Sequence, residues 1–418
     1  MMAAQPDPAA PAPPSAQTPD TIAAWLADHG GKRADPGVLV GGLCERLLAV
    51  GVALWRVSYG HPTQHPQLCG SQVVWRRDSA DVLFQEYPRG HGGDCLYLDG
   101  PARLLQPGAD RLRRGLDGPF PKIDFDLVRN LASEGATEYT AMALPFSSGR
   151  TGFVSWTSDR PGGFGANELA LLDRLLPLIA LRLELEASYN LSSNLMETYL
   201  GRDAAHRVLA GQIERGSGTR VRAAILLSEL RGFTAMSERL PSEAVIAYLD
   251  SYFDAVGRQV ARHGGEILEF IGDGVLAAFD IDDESHGAAC CQALHAAIAV
   301  LHPMAALNRC AAEPLDVVVA LHLGNVFYGN IGAADRLDFT VIGPTVNESS
   351  RIEGLCKALD RPLLTSASFA ESCTCEPLVS LGHHALRGVP EPREIFTLPP
   401  DRLPAPGAYR ADLEPASG

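Results

Sequence analysis

The order of strand-like and helical segments after residue 217 constrains the fold of this chain more than any other feature. The two kinds of segment alternate there, and glycine or proline separates most of them. In chain order they are a strand at 220–229, a helix at 242–263, two short strands within 266–280, a helix at 285–302, three strands within 315–343 and a helix at 344–359. Because apolar helices can cover one face of a mostly antiparallel sheet, this order predicts an α+β fold. It is the ferredoxin-like (split βαβ) plan with additions.

A second, smaller α+β domain is predicted before it. Its segments are a helix at 36–50, strands at 53–60, 71–78 and 81–88, a helix at 125–136 and two strands around the turn at 147–149. This order is typical of a small sensor domain, and a packing domain without a ligand fits it equally well.

A long helical pattern at 166–200 follows, with a kink expected at Pro177. Such a helix would connect the two domains rigidly. Its apolar residues recur at helical spacing, which predicts a helical pair in a dimer. These residues are Leu172, Leu175, Leu176, Ile179 and Leu183.

These patterns divide the chain into five parts. They are a disordered Pro/Ala-rich tail (1–21), the sensor-like domain (22–165), a connecting helix and linker (166–216), the ferredoxin-like domain (217–399) and a flexible tail (400–418).

Composition excludes two classes of partner. Lys and Arg total 35 against 50 Asp and Glu, a net charge of −15. Such an acidic chain is a poor general binder of nucleic acid or anionic membranes. The apolar stretches fall short of the roughly 18 residues that a membrane span needs. We therefore expect no transmembrane segment and, with no secretory signal at the N-terminus, a cytoplasmic protein.

The nine cysteines predict reduced thiols, since several lie in apolar contexts. Cys373 and Cys375 form a C-x-C motif without a second pair, which argues against zinc. His61, His65 and Cys69 have ligand-like spacing, but intervening prolines indicate a loop.

Several ordered blocks in the C-terminal half resemble the class III nucleotide cyclase catalytic domain. The blocks are SELRGFTAMSERL (228–240), HGGEILEFIGDGVLAAF (263–279), LHLGNVFYGNIG (321–332), LDFTVIGPTVNESSRIEGL (337–355) and GHHALRGVPEPREIFTLP (382–399). The resemblance implies conversion of a nucleoside triphosphate to its 3′,5′-cyclic monophosphate, with two divalent cations, Mg²⁺ or Mn²⁺, for intracellular signalling. The smaller domain resembles a GAF-like sensor domain.

Two acidic residues occupy the positions at which the family holds its metal ions. One is Asp273, at the tip of a predicted hairpin, where Gly272 and Gly274 would let a phosphate approach closely. The other is Glu229, where the family usually has aspartate. Its extra methylene displaces the carboxylate by about 1.5 Å on a fixed backbone, while metal sites tolerate only about 0.2 Å. The neighbouring Phe233 and Thr234 belong to the same block and are expected to contact substrate.

Base selection is predicted to fall to Glu269 and Thr340. In adenylate cyclases the first of these positions is often lysine. An ionised carboxylate accepts hydrogen bonds only, which suits the N1–H and amino group of guanine and opposes the N1 acceptor of adenine. Strand alternation places Glu269 on the same face as Ile267 and Ile271. A threonine hydroxyl donates or accepts, so Thr340 fits either base.

The transition-state residues implied by the resemblance are Asn347 and Arg351, four apart on one helix. In the family, asparagine orients the ribose and arginine stabilises charge on the α-phosphoryl group. Arg387 is the available cation for the terminal phosphates. Family geometry takes the metal ligands from one subunit and Asn/Arg from the other, so a homodimer is implied.

Two alternatives remain at this point. An impaired cyclase-homology domain would bind nucleotide and serve as a regulatory or dimerisation module, and Glu229 favours it. The other alternative is an adenylate cyclase.

Overall fold

The computed structural model divides the chain into two compact units, here called the N-terminal unit (Met1–Leu195) and the C-terminal unit (Met196–Gly418). The described residues are 18–28, 35–89, 100–105, 109–279, 286–308 and 316–403. Most of each predicted tail lies outside them. The five-part division and the GAF-like sensor remain predictions.

The N-terminal unit contains one antiparallel sheet of six strands in the order β3-β2-β1-β6-β5-β4. Its strands are β1 Arg56–Pro62, β2 Leu68–Arg76, β3 Leu83–Pro88, β4 Arg111–Gly115, β5 Glu138–Pro145 and β6 Thr151–Ser158, and its helices are α1 Pro19–Asp28, α2 Pro36–Ala49, α3 Asp126–Ser133 and α4, which runs over Ala166–Leu200, with a 3-10 turn at Pro101–Leu104. Alternate residues of β5 enter two separate cores, so both faces of the sheet are covered.

Helix α1 begins at Pro19, earlier than the predicted start of ordered structure at residue 22. A reciprocal cap accounts for this. The amide of Thr21 donates to the Thr18 hydroxyl at 3.2 Å, and the amide of Thr18 donates to the Thr21 hydroxyl at 2.8 Å. The cap satisfies backbone N–H groups at the start of the helix. The Pro/Ala-rich composition of this segment gave no reason to expect a helix there.

Helix α4 continues through Pro177 to Leu200. The apolar residues predicted to pair in a dimer are instead used inside the N-terminal unit. Leu172, Leu175, Ile179 and Leu183 are buried in a core shared with α2 and the sheet, and Leu176 packs against it. On other faces of the helix, Leu181 and Leu185 are 66% and 53% exposed.

The C-terminal unit is built on an eight-stranded sheet. Its strands are β7 Gly218–Arg231, β8 Glu266–Ile271, β9 Gly274–Phe279, β10 Asp316–Gly332, β11 Leu337–Ile342, β12 Leu363–Ser366, β13 Val379–His384 and β14 Arg393–Thr397, and its helices are α5 Arg202–Leu209, α6 Phe233–Arg239, α7 Ser242–Arg262, α8 His286–Asn308, α9 Pro344–Ala358 and α10 Ala367–Ser372, with a 3-10 turn at Pro400–Arg402. The strand order is β13-β14-β12-β10-β7-β9-β8, and β11 pairs with β10. The stretch β10-β7-β9-β8 is the ferredoxin-like order, so the predicted α+β plan is confirmed.

Helices cover both faces of this sheet at β10. Helices α7 and α8 share one core with Val317, Val319 and Leu321 of β10. Helix α9 shares another with Val318 and Ala320, the alternate residues of the same strand. Burial on both sides explains why this strand reads as a continuous apolar run.

Two predicted elements of the C-terminal unit differ in the structure. Three strands were predicted within 315–343, but the first two form one strand that continues through Gly324, β10, which pairs with β7 from Asp316 to Gly329. Gly324 permits a close approach there, because a Cβ at this position would lie 2.5 Å from the Thr345 hydroxyl of α9. Helix α8 continues past Pro303 to Asn308, since a proline removes one helical hydrogen bond without always ending the helix.

Cys69 is disulfide-bonded, so the prediction of reduced cysteines was wrong there. None of the helices in the described part of the chain combines the length and apolar character that a membrane crossing requires.

Candidate active site

The end of β7 and the β8–β9 hairpin bring the two predicted metal ligands to one place. Ser228 pairs with Val275, so Glu229 lies beside the start of β9. Asp273 occupies the turn between the strands, after Gly272 at φ 64°. The amide of Leu230 donates to the Asp273 carboxylate at 3.3 Å. A strand end and a tight turn therefore hold both acidic residues.

A third carboxylate, Glu353 of α9, joins them, and sequence reasoning missed it. Burial, a hydrogen bond with Glu229 and the charges of Glu229 and Asp273 together raise the pKa of Glu353 to about 8. Burial also raises the pKa of Asp273, and the charge of Glu229 adds to this effect. We call Glu229, Asp273 and Glu353 the carboxylate cluster. The only signal for Glu353 in the sequence was its place two residues after Arg351 on the same helix.

Arg231, in the same block as Glu229, fixes this corner of the fold. Its guanidinium donates to the carbonyl oxygens of Cys356 at 2.6 Å and Arg361 at 3.1 Å. It also donates to Asp360 at 3.3 Å. These bonds tie the end of β7 to the end of α9, so the strand and helix that carry Glu229 and Glu353 are held together.

The two predicted base-selecting residues contact each other. The Thr340 hydroxyl donates to a Glu269 carboxylate oxygen at 3.4 Å. Both residues line a cavity of about 860 Å³ within the C-terminal unit. Its wall also includes Phe339, Asp338 and Arg336, and the volume falls in the range of small-molecule sites.

The predicted alternation around Glu269 was wrong, because β8 has a bulge between Ile267 and Glu269. Ile267 packs into the core beneath α7, and the Phe270 ring lies 4.5 Å from that of Phe253 on the same helix. Leu268 packs on the opposite face of the sheet. The bulge thus turns Glu269 away from Ile267 and toward Thr340.

The remaining residues of these blocks have plainer positions. Phe233 begins α6 and packs against the core, whereas Thr234 is exposed. Gly274 opens β9, where a Cβ would lie 3.1 Å from the Ile271 carbonyl oxygen. Gly272 has the left-handed backbone that a two-residue turn requires.

Asn347 and Arg351 lie on a different side of α9 from Glu353. A helix turns about 100° per residue, so Arg351 is about 200° and Asn347 about 240° from Glu353. Arg351 is half-buried, and its guanidinium is 3.6 Å from the position of a Cβ at Gly388. Exposed Arg387 precedes that glycine. Within one protomer, α9 thus turns one side to the carboxylate cluster and another to the loop of Arg387.

Comparison with known proteins identifies this part of the chain. Residues 218–363 match the model of the adenylate and guanylate cyclase catalytic domain family. An adenylate cyclase of Anabaena cylindrica is 33% identical over 177 residues, which cover 40% of this chain and 34% of that protein. Adenylate cyclase 1 of Rhizobium meliloti (strain 1021) is 28% identical over 272 residues, 62% of this chain and 40% of that protein.

Among solved structures, the adenylyl cyclase CyaB from P. aeruginosa is 28% identical, with a TM-score of 0.40, over 43% of this chain and 94% of that chain. The present chain covers only 34% and 40% of the lengths of the two relatives named above. The family-model match lies in the C-terminal unit, whose sheet has the ferredoxin-like strand order. Residues 218–363 belong to the adenylate and guanylate cyclase catalytic domain family.

Proposed function

We propose that this protein is a class III nucleotide cyclase, which converts a nucleoside triphosphate to its 3′,5′-cyclic monophosphate and pyrophosphate. The carboxylate cluster carries the proposal. A single hairpin bears Asp273 of that cluster at its turn and Glu269 in the wall of the cavity. A triphosphate with its base beside Glu269 would direct its phosphates toward the acidic turn.

The oxygen donors of the carboxylate cluster are of the kind that divalent cations bind. Carboxylate oxygens are the donors that Mg²⁺ and Mn²⁺ prefer. Crowded negative charge contributes to the raised pKa values of Asp273 and Glu353, and a bound cation would relieve it. Glu229 and Asp273 would hold two such ions, which when bound neutralise the phosphates and activate the 3′-hydroxyl.

The reaction forms the bond between O3′ and the α-phosphorus and breaks the bond from that phosphorus to the leaving pyrophosphate. The 3′-hydroxyl loses its proton, and charge develops on the α-phosphoryl oxygens. Asn347 would orient the ribose, and the planar guanidinium of Arg351 would stabilise that charge. Since both point away from Glu353 of their own protomer, a second protomer is the natural source of the pair, as in a two-fold homodimer.

GTP is the proposed substrate over ATP. The Glu269 carboxylate can accept from both the N1–H and the amino group of guanine, and its contact with Thr340 holds it in the cavity wall. The names of the two relatives, both called adenylate cyclases, argue for ATP as the substrate instead. Purified protein should be given GTP, ATP, CTP and UTP separately with Mn²⁺ or Mg²⁺. Faster formation of cyclic GMP than cyclic AMP supports the proposal, and a preference for ATP contradicts the role of Glu269.

The shared site has its own test. Neither Asp273→Asn nor Arg351→Ala should turn over alone, whereas an equal mixture should regain about a quarter of wild-type activity, because half of the dimers then hold one intact site of two. Asp250→Asn, an exposed residue of α7, is the control and should be fully active. No recovery on mixing would place both groups in a single protomer's site.

An impaired domain that binds nucleotide without chemistry is the second candidate. The hydrogen bond between Glu229 and Glu353 favours it, because that bond occupies an expected metal ligand. Triphosphate binding without product, with every metal tested, would establish this alternative.

A further inference from the structure

Three cysteines from two distant stretches of the sequence meet in the C-terminal unit, beside α8 and the end of α10. Cys291 lies on α8, Cys373 directly follows α10, and Cys375 comes two residues later. The start of α8 passes close to α10, since a Cβ at Gly287 would be 3.3 Å from the Ser372 carbonyl oxygen. Residues i and i+2 of an extended chain share a face, so the C-x-C spacing directs both side chains to one side.

The sulfur atoms have the spacing of a metal site. All three lie within 4.8 Å of one another, and those of Cys373 and Cys375 are 3.5 Å apart. A tetrahedral ion with sulfurs at about 2.3 Å holds them about 3.8 Å apart, so small side-chain shifts would suffice. All three cysteines are free thiols. Burial ranges from Cys373 in the core through half-buried Cys291 to exposed Cys375, which leaves a path of entry.

The sulfur atom of Cys291 has hydrogen-bond partners in the segment after α10. The backbone amides of Thr374 and Cys375 and the thiols of Cys373 and Cys375 direct hydrogen bonds to it. Groups that donate to a metal-binding sulfur orient it and support its bond to the ion.

We propose that Cys291, Cys373 and Cys375 form a three-thiolate site for a soft d¹⁰ cation, Zn²⁺ or Cu⁺. Thiolates select such ions over Mg²⁺ and Mn²⁺, so this site would not compete with the carboxylate cluster for its cations. Among the described residues, no further His, Cys, Asp or Glu atom joins the group. Zn²⁺ would take water as a fourth ligand, whereas Cu⁺ needs none. The ion would join α8 to the segment after α10.

The test uses the full chain, reduced and stripped of metal. Zn²⁺, and Cu⁺ under anaerobic conditions, are added in separate arms with a competing chelator, and bound metal per chain is measured after desalting. Co²⁺ serves as a spectroscopic probe, because its sulfur charge-transfer band reports thiolate ligands. Cys375→Ser is the main variant, since this exposed side chain can change without disturbing the core, and Cys291→Ser is the second. Cys290→Ala, which removes the adjacent thiol of the same helix, is the matched control.

The proposal is supported if one equivalent of Zn²⁺ or Cu⁺ binds per chain, is retained in the Cys290→Ala control and is lost in both serine variants. The metal that binds at this stoichiometry identifies the ion. A rise in melting temperature on metal addition should disappear in the same two variants. Absence of stoichiometric metal in reduced protein overturns the proposal. So does equal retention by the serine variants, or a stable disulfide between Cys373 and Cys375 that forms in place of metal binding.

Discussion

The two units surround key carboxylates in opposite ways. In the N-terminal unit, Glu138 is 3% exposed. The Arg113 guanidinium donates from Nε to one of its carboxylate oxygens at 2.6 Å and from Nη2 to the other at 2.9 Å. Glu138 also accepts from the Phe164 amide and the Thr140 hydroxyl. In the C-terminal unit, Asp273 accepts one amide at 3.3 Å and lies beside two further acids. A satisfied carboxylate stabilises a fold, whereas a group of like charges costs stability and indicates a site prepared for cations.

The largest expected effect tests the second half of this contrast. Asp273→Asn should lower cyclase turnover roughly 100- to 1000-fold, because it removes a ligand needed in the transition state. The same change should not lower the free energy of unfolding of the metal-free chain, since it relieves like-charge repulsion. Product formation measures the loss of turnover, and urea denaturation measures the free energy of unfolding. A variant that is inactive only because it is unfolded would contradict the contrast.

Glu138→Gln tests the first half. Loss of this bidentate ion pair, whose carboxylate is buried and whose guanidinium is half exposed, should lower the free energy of unfolding of the N-terminal unit by about 2 kcal/mol. Glu134→Gln removes a surface pair with Arg76 and should change it by less than about 1 kcal/mol. Urea denaturation of both variants measures the difference. Equal losses would show that the contacts of Glu138 add nothing beyond a surface ion pair.

Shortening the Glu229 side chain tests whether the carboxylate cluster is limited by the distance from this carboxylate to the cations. Glu229→Asp restores the aspartate usual in the family and moves this carboxylate away from Glu353. We expect turnover to rise about 10-fold if ligand distance limits the reaction, with a tighter Mn²⁺ requirement. Unchanged turnover would mean that Glu229 already reaches the cations.

The smallest effect is a pH dependence. The pKa of Glu353 is raised from 4.5 to about 8, so the stability it contributes is full below pH 4.5 and is lost as the pH rises through about 8. Glu353→Gln removes this dependence. The unfolding free energy of wild type minus that of the variant, measured without metal, should therefore fall across that window and then level off. Glu238→Gln, at an exposed position of α6, is the control substitution.

The C-terminal architecture followed from sequence because each element is delimited locally. Hydrophobic periodicity and Gly or Pro boundaries placed the α7 and α9 helices and the hairpin of Asp273 without knowledge of tertiary contacts. Gly324 misled because a glycine required by a packing contact looks the same in sequence as one required by a turn.

Residues that act through distant contacts could not be found this way. Glu353 joins Glu229 only when α9 packs against β7, and Arg231, at the same end of that strand, holds the packing by bonds to the end of α9. The C-x-C pair was dismissed for want of a second pair, yet its third sulfur comes from Cys291 on another helix. The leucines of α4 showed a helix, but periodicity does not say whether its apolar face meets a partner chain or its own sheet.

The two-sided character of α9 has a consequence for regulation. In the proposed dimer, Glu353 would serve its own protomer's acids while Arg351, less than one turn away, would serve the opposite protomer's substrate. A small rotation of α9 about its axis would therefore disturb two reaction centres at once. It would move Glu353 relative to the acids of its own protomer and Arg351 relative to the substrate of the other. An upstream signal that reached α9 would then switch both centres together, and neither could be silenced alone.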